Sequence, residues 1–342
     1  MSWTGQPTRL PGSVKKAIFA LLLAVPGCAE GIPPLEPISH ESTHTLRVLY
    51  LDDHRLPSPS PREREKLYRK IEILLKTWYS FDVEVREVAV GNLLERFEAS
   101  SDIFQTESAR SYLDRAAIDL GGFGVKDLIL QTIRKDLKHR DEKLIRRYVN
   151  LPKGASKRDA ESAVYSIFED RLTRLRKTKV GEDGAETLHN RRWAITQSFP
   201  HWEVFLENLK EADFVLTNSI IAGPDAGMPL YVAVRGGITN GFITNSLHNP
   251  FQAVGVVGMY PFLADSDFFN KERGRLRGKM DVLATFWMHE LGHFFLRMKE
   301  HYGEAGCVHV APEGLRVYEW HKAIRKSSNK CRYLPEERLT IF

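Results

Sequence analysis

Three cysteines in 342 residues are too few for a disulfide-dense scaffold or a four-thiolate metal cluster. The apolar run Ala17–Val25 has nine residues, short of the about 20 that a bilayer-spanning helix requires. The charge excess is only +5 and is concentrated in residues 134–177. That balance implies at most a weak preference for anionic surfaces, and no nucleic-acid partner is expected. The glycine cluster Gly121-Gly122-Phe123-Gly124 has no Lys-Ser or Lys-Thr in register after it, which excludes a phosphate loop. There is no internal repeat and hence no solenoid. With 42% apolar and 27% charged residues, what remains is an ordinary globular chain with enough material for a large core.

The beginning of the chain has the pattern of an export signal. Lys15-Lys16 precede the apolar run, and Pro26-Gly27-Cys28 follows it. A basic stretch, a short apolar segment and a small-residue junction make residues 1–28 a signal peptide. Val25-Pro26-Gly27-Cys28 resembles a bacterial lipobox, which implies lipidation at Cys28 and a membrane anchor in the bacterial cell envelope, at the periplasm or outer surface. Residues 29–44, rich in Pro and Glu, read as a tether. In that oxidising setting Cys307 and Cys331 are expected to form a disulfide rather than a metal site.

Residues 45–342 read as one catalytic domain of α/β or α+β class, a mixed sheet with a helical insertion at about 92–210. Thr45–Leu51 is a strand, and 62–79 carries Leu67, Ile71, Leu74, Leu75 and Trp78 at helical spacing. Phe81–Val88 alternates as a second strand, so a parallel pair is expected. The helices 134–149 and 157–177 are basic and read as solvated faces of the insertion. Further core strands are expected at Asp213–Thr217, Leu230–Arg235 and Gln252–Val257. Between the last two, the polar, glycine-rich Gly236–Asn245 is either an edge strand able to accept a peptide backbone or a hairpin loop.

The most informative stretch is Asp281–Met298, an unbroken helical segment with Asp281 as the expected N-cap. It contains His289-Glu290-Leu291-Gly292-His293, the H-E-x-x-H pattern. Residues four apart on a helix stand on one face, so both imidazoles aim at one point. Three ionisable groups in an otherwise apolar helix are costly to bury unless something pairs with them. A single zinc ion does so: it takes nitrogen ligands at about 2.0–2.1 Å and keeps one position open for water. Glu290 is then the general base that takes a proton from that water.

Two histidines leave the coordination incomplete. Downstream candidates for a third ligand are His301, Glu304, His309, Glu313 and Glu319. In an uninterrupted helix His301 would point about 80° away from His293, so the chain must turn between Met298 and His301.

The order of elements, an N-terminal αβ sheet followed by H-E-x-x-H and a later histidine, resembles the metzincin zinc peptidases, and most closely the archaemetzincins. Their pattern is H-E-x-x-H-x-x-G-x-x-H-C-x4-C-x-M. His301, Tyr302, Cys307 and His309 align with its second half, Tyr302 standing for the first cysteine and His309 for the methionine. The spacing is two residues longer, the hinge glycine is missing, and no methionine follows Met298. The later C-x-x-C is absent too, so the second, structural zinc is not expected. The resemblance implies a metzincin-like fold and His301 as third ligand. A gluzincin-like site would instead take Glu319, on a helix over 314–323, with His309 and Glu304 as further alternatives.

The expected activity is zinc-dependent hydrolysis of a peptide bond by a secreted, lipid-anchored metallopeptidase. Its expected partners are a peptide or protein substrate and the membrane, and the chain is expected to be a monomer. The alternative is a surface lipoprotein with a degenerate metal site that serves as a binding or structural module.

Overall fold

Val48, Leu49, Tyr50 and Leu51 are all buried, so the strand that carries them has apolar layers on both sides. The computed structural model describes residues 37–110, 154–177, 179–180, 186–187, 199–221, 237–240, 251, 253–263, 278–298, 306–310, 317–329 and 331, with five positions within 127–134. The signal peptide and Cys28, the glycine cluster 121–124 and the strand expected at 230–235 lie outside the described residues.

Strand β1 is His44–Asp52 and helix α1 is Pro61–Tyr79. A capping box starts α1: the Ser60 hydroxyl accepts from the Glu63 amide at 3.3 Å, and the Glu63 carboxylate accepts from the Ser60 amide at 2.9 Å. Pro61 at the first helical position costs no hydrogen bond there. Strand β2, Val83–Asn92, returns parallel to β1, so the expected strand-helix-strand unit is present.

Asn92 caps α2, Leu93–Ala99, by accepting from the amides of Leu94 and Glu95, and α3, Ser101–Gln105, follows. Then come α4 (Lys157–Lys177), a small antiparallel pair of β3 (Lys179–Val180) and β4 (Glu186–Thr187), and α5 (Phe199–Glu207). The remaining elements are β5 (Phe214–Thr217), β6 (Gly237–Asn240), β7 (Val254–Gly258), α6 (Tyr260–Leu263), α7 (Lys279–Leu296) and α8 (Val317–Ser327).

The main sheet has the order β2-β1-β5-β7-β6. Its first four strands are parallel, and β6 is antiparallel to β7 at the end of the row. This is the mixed sheet of an α/β fold. On one face Val48, Tyr50, Phe214, Leu216 and Val257 meet α1 and α7, with Trp287, Met288 and Phe294 among the packed side chains. On the other face Leu49, Leu51, Val215 and Val256 meet Phe97, Phe104, Trp202 and Phe205. Each such side chain taken fully out of water contributes about 1.5–3 kcal/mol.

The two ends of the 92–210 block, α2–α3 and α5, are therefore a layer of the sheet domain, which narrows the expected insertion to what lies between them. Packing also reaches into the 29–44 stretch: the Ile38 amide donates to Phe295 O at 3.0 Å, and the His40 ring stacks on Phe81 at 4.0 Å. Among the described residues no helix is long and apolar enough to cross a membrane.

Candidate metal centre

Helix α7 starts two residues earlier than its sequence suggests, and the expected N-cap is corrected. Gly278 takes that position with φ 99°, a conformation open to glycine, which has no side chain to cap the helix. Asp281 sits in the first turn, where its carboxylate accepts from Lys70 Nζ on α1 and faces the positive end of the helix.

The far end of α7 turns at Arg297, ahead of the stretch between Met298 and His301 where the turn was expected, and it does so without a glycine. Arg297 adopts the left-handed conformation at φ 60° and is 4% exposed. Its guanidinium donates to Phe294 O at 2.7 Å and to Phe251 O. Burial pushes its pKa down to about 10, which leaves it charged at neutral pH. The two carbonyls hold it there against the left-handed penalty of about 1–2 kcal/mol.

This turn swings the Met298 carbonyl back under the helix, where it accepts from His293 Nδ1 at 2.5 Å. From the turn at 306–310, Val308 O accepts from His289 Nδ1 at 2.7 Å. A carbonyl only accepts, so both Nδ1 atoms carry hydrogen, and in the neutral rings both Nε2 atoms present lone pairs. The two Nε2 atoms stand 3.3 Å apart. Two lone pairs at that separation repel unless a proton or a metal cation lies between them. A tetrahedral ion with ligands at about 2.0–2.1 Å holds two nitrogens roughly 3.3–3.4 Å apart. Ring nitrogens tied to carbonyls on the far side are also what orients histidine ligands. The pair therefore fits a zinc-sized cation.

Glu290, one residue further round the helix, is 6% exposed. Between Val282 and Leu296 only His293 keeps partial exposure, so solvent reaches the pair from its side.

His309 is fully buried beside them, its ring centre 6.5 Å from that of His289 and 6.2 Å from that of His293. It stacks on Tyr79 at 5.6 Å, and the Tyr79 hydroxyl donates to Met288 O at 2.7 Å. Its other neighbour is Gly292, where a Cβ would lie 1.7 Å from His309 Cε1. His309 thus occupies a buried turn packed against α7.

One turn before His289, Thr285 Oγ1 lies 2.7 Å from His321 Nδ1 on α8. The Trp320 ring stands edge-on to His289 at 6.2 Å. Helix α8, the expected carrier of Glu319, therefore runs beside the site, though the Glu319 side chain lies outside the described residues. His301, Glu304 and Glu313 lie outside them as well. Among the described residues no three His, Cys, Asp or Glu side chains converge as a ligand set. The expected disulfide Cys307–Cys331 is formed, with Cα atoms 4.7 Å apart.

Sequence reading missed the Val308 and Met298 carbonyls, which no side-chain pattern can reveal. It also missed Gly292, whose signal was available: a glycine inside a helix costs about 1 kcal/mol and asks for a packing reason. Compared with protein-family models, curated proteins and solved structures, the chain matches none of them.

Proposed function

We propose that the chain is a zinc-dependent peptidase of metzincin-like type. The observation that carries this reading is the 3.3 Å gap between the Nε2 atoms of His289 and His293, with both Nδ1 atoms tied to carbonyls. His289 and His293 hold the ion, and His301 is the third ligand by its resemblance to the metzincin pattern.

Zinc at this position supplies Lewis acidity, lowering the pKa of water toward about 7 and polarising a carbonyl. Glu290 takes the proton of the attacking water and passes it to the leaving amine. Its burial keeps that carboxylate in a setting of low dielectric, where its charge acts strongly on neighbouring groups. The substrate lies as an extended strand along β6, which among the described residues is the last strand of the sheet and runs against α7. Main-chain pairing there presents a peptide carbonyl rather than a particular side chain.

The test is Glu290→Gln, assayed on a denatured-protein substrate with zinc content measured in parallel. The proposal expects full zinc occupancy and loss of hydrolysis by about a hundredfold or more. Undiminished hydrolysis in that variant removes the mechanism.

A further inference from the structure

We propose that α8 and the residues just after it form a clamp that positions His289, with Asn329 and the Cys307–Cys331 disulfide as its positioning residues. This inference rests on the zinc reading above and concerns what sets the metal affinity of the site.

The turn 306–310 is gripped at every residue but one. Ser327 Oγ donates to Gly306 O at 2.6 Å, and the Val308 amide donates to Asn329 Oδ1 at 2.9 Å. Trp320 Nε1 donates to Val310 O at 2.6 Å, and Cys307 is bonded to Cys331. Gly306 has φ 97°, and a Cβ there would stand 2.5 Å from Ser327 Oγ, so the close approach requires glycine. The remaining residue, His309, is wedged between Tyr79 and Gly292.

Asn329 is itself fixed. It adopts φ 54°, as asparagine does more readily than most residues, and its amide donates to Ile324 O at 3.0 Å to close α8. Its side-chain oxygen therefore comes from a rigid helix end. The residue that it holds, Val308, is the one whose carbonyl accepts from His289 Nδ1.

The chain of contacts runs from the α8 terminus through Asn329 and Val308 to the His289 ring. Without it the Val308 carbonyl is free to leave the ring, the imidazole loses its fixed tautomer, and Nε2 no longer faces His293. Loss of such an outer contact lowers metal affinity by about 10–100-fold. The disulfide thereby becomes a condition for tight metal binding as well as a contributor to stability.

The experiment compares full-length chains stripped of metal, with zinc affinity read by competition against a chromophoric chelator and Co²⁺ absorption as a second readout. Asn329→Gly keeps the backbone conformation and removes the side-chain amide. The double variant Cys307→Ser/Cys331→Ser removes the covalent tie. Arg64→Met, which breaks a distant ion pair with Glu87, serves as a control for general destabilisation.

The proposal expects Asn329→Gly to bind zinc about tenfold or more weaker, with an altered Co²⁺ spectrum, while Arg64→Met binds as the wild type does. The double variant should weaken binding likewise; if it does not fold, Asn329→Gly decides alone. Wild-type zinc affinity and an unchanged Co²⁺ spectrum in Asn329→Gly overturn the clamp and leave the zinc reading standing. A wild-type chain that binds no zinc overturns both.

Discussion

Gly292 and His309 occupy one space: the imidazole of the second lies where a side chain on the first would be. Replacing Gly292 by alanine should raise helix propensity by about 1 kcal/mol. The new methyl would stand 1.7 Å from His309 Cε1, and the ring, stacked on Tyr79, has little room to retreat. Overpacking costs of about 1–3 kcal/mol should outweigh the propensity gain. Urea unfolding should therefore show Gly292→Ala less stable than the wild type. A more stable variant would mean that His309 is not held where it is described.

Arg297→Gly sets two effects of similar size against each other. Glycine relieves the left-handed strain of φ 60°, worth about 1–2 kcal/mol. The substitution also removes the two guanidinium hydrogen bonds to Phe251 O and Phe294 O, each from a charged donor and worth about 1.5–3 kcal/mol. Two carbonyls outweigh one strained residue, so thermal unfolding should show a net loss of stability. A rise in the unfolding temperature would identify backbone strain as the larger effect.

His321 should make the fold sensitive to mild acid. Burial, with the charge of Arg325 adding to it, pushes its pKa from the ordinary 6.5 down to about 4. The folded chain then binds fewer protons than the unfolded chain between those values, so stability is highest above about pH 6.5 and falls as the pH drops toward 4. Measuring unfolding temperature against pH for the wild type and His321→Asn should show a flatter profile in the variant across that window. Superimposable slopes would mean that His321 does not titrate differently in the two states.

Removal of zinc with a chelator should loosen the His289–His293 pair first, since the Nε2 atoms would lose the cation between them. Stabilisation by mass action predicts an unfolding temperature that climbs with added zinc in the wild type. His293→Ala should abolish that dependence, and zinc-dependent stabilisation of equal size in the variant would place the ion elsewhere.

Much of this architecture was legible in the sequence because it is local. The alternation in Phe81–Val88, the helical spacing of Leu67, Ile71 and Leu75, and the i, i+4 histidines each declare their element without reference to distant residues. Cys307 and Cys331 were legible as a pair once Cys28 was read as the lipidated residue of the signal.

Other features were written in contacts between remote segments. Phe97 and Trp202, 105 residues apart in the chain, meet at 5.0 Å beneath the sheet, and nothing in either helix names its partner. Asp281 looked like an N-cap because it is an acidic residue before an apolar run, yet Gly278 had already opened the helix with a backbone conformation that leaves no side-chain signature. The carbonyls of Met298 and Val308 orient the histidines through atoms that every residue possesses.

The most direct measurement is anomalous diffraction at the zinc edge from crystals of the full chain grown with zinc. The account predicts one strong peak between the two rings, about 2.0–2.1 Å from Nε2 of both His289 and His293, with a third protein ligand closing on it. Rings turned apart, or no peak between them at full zinc occupancy of the medium, would contradict it.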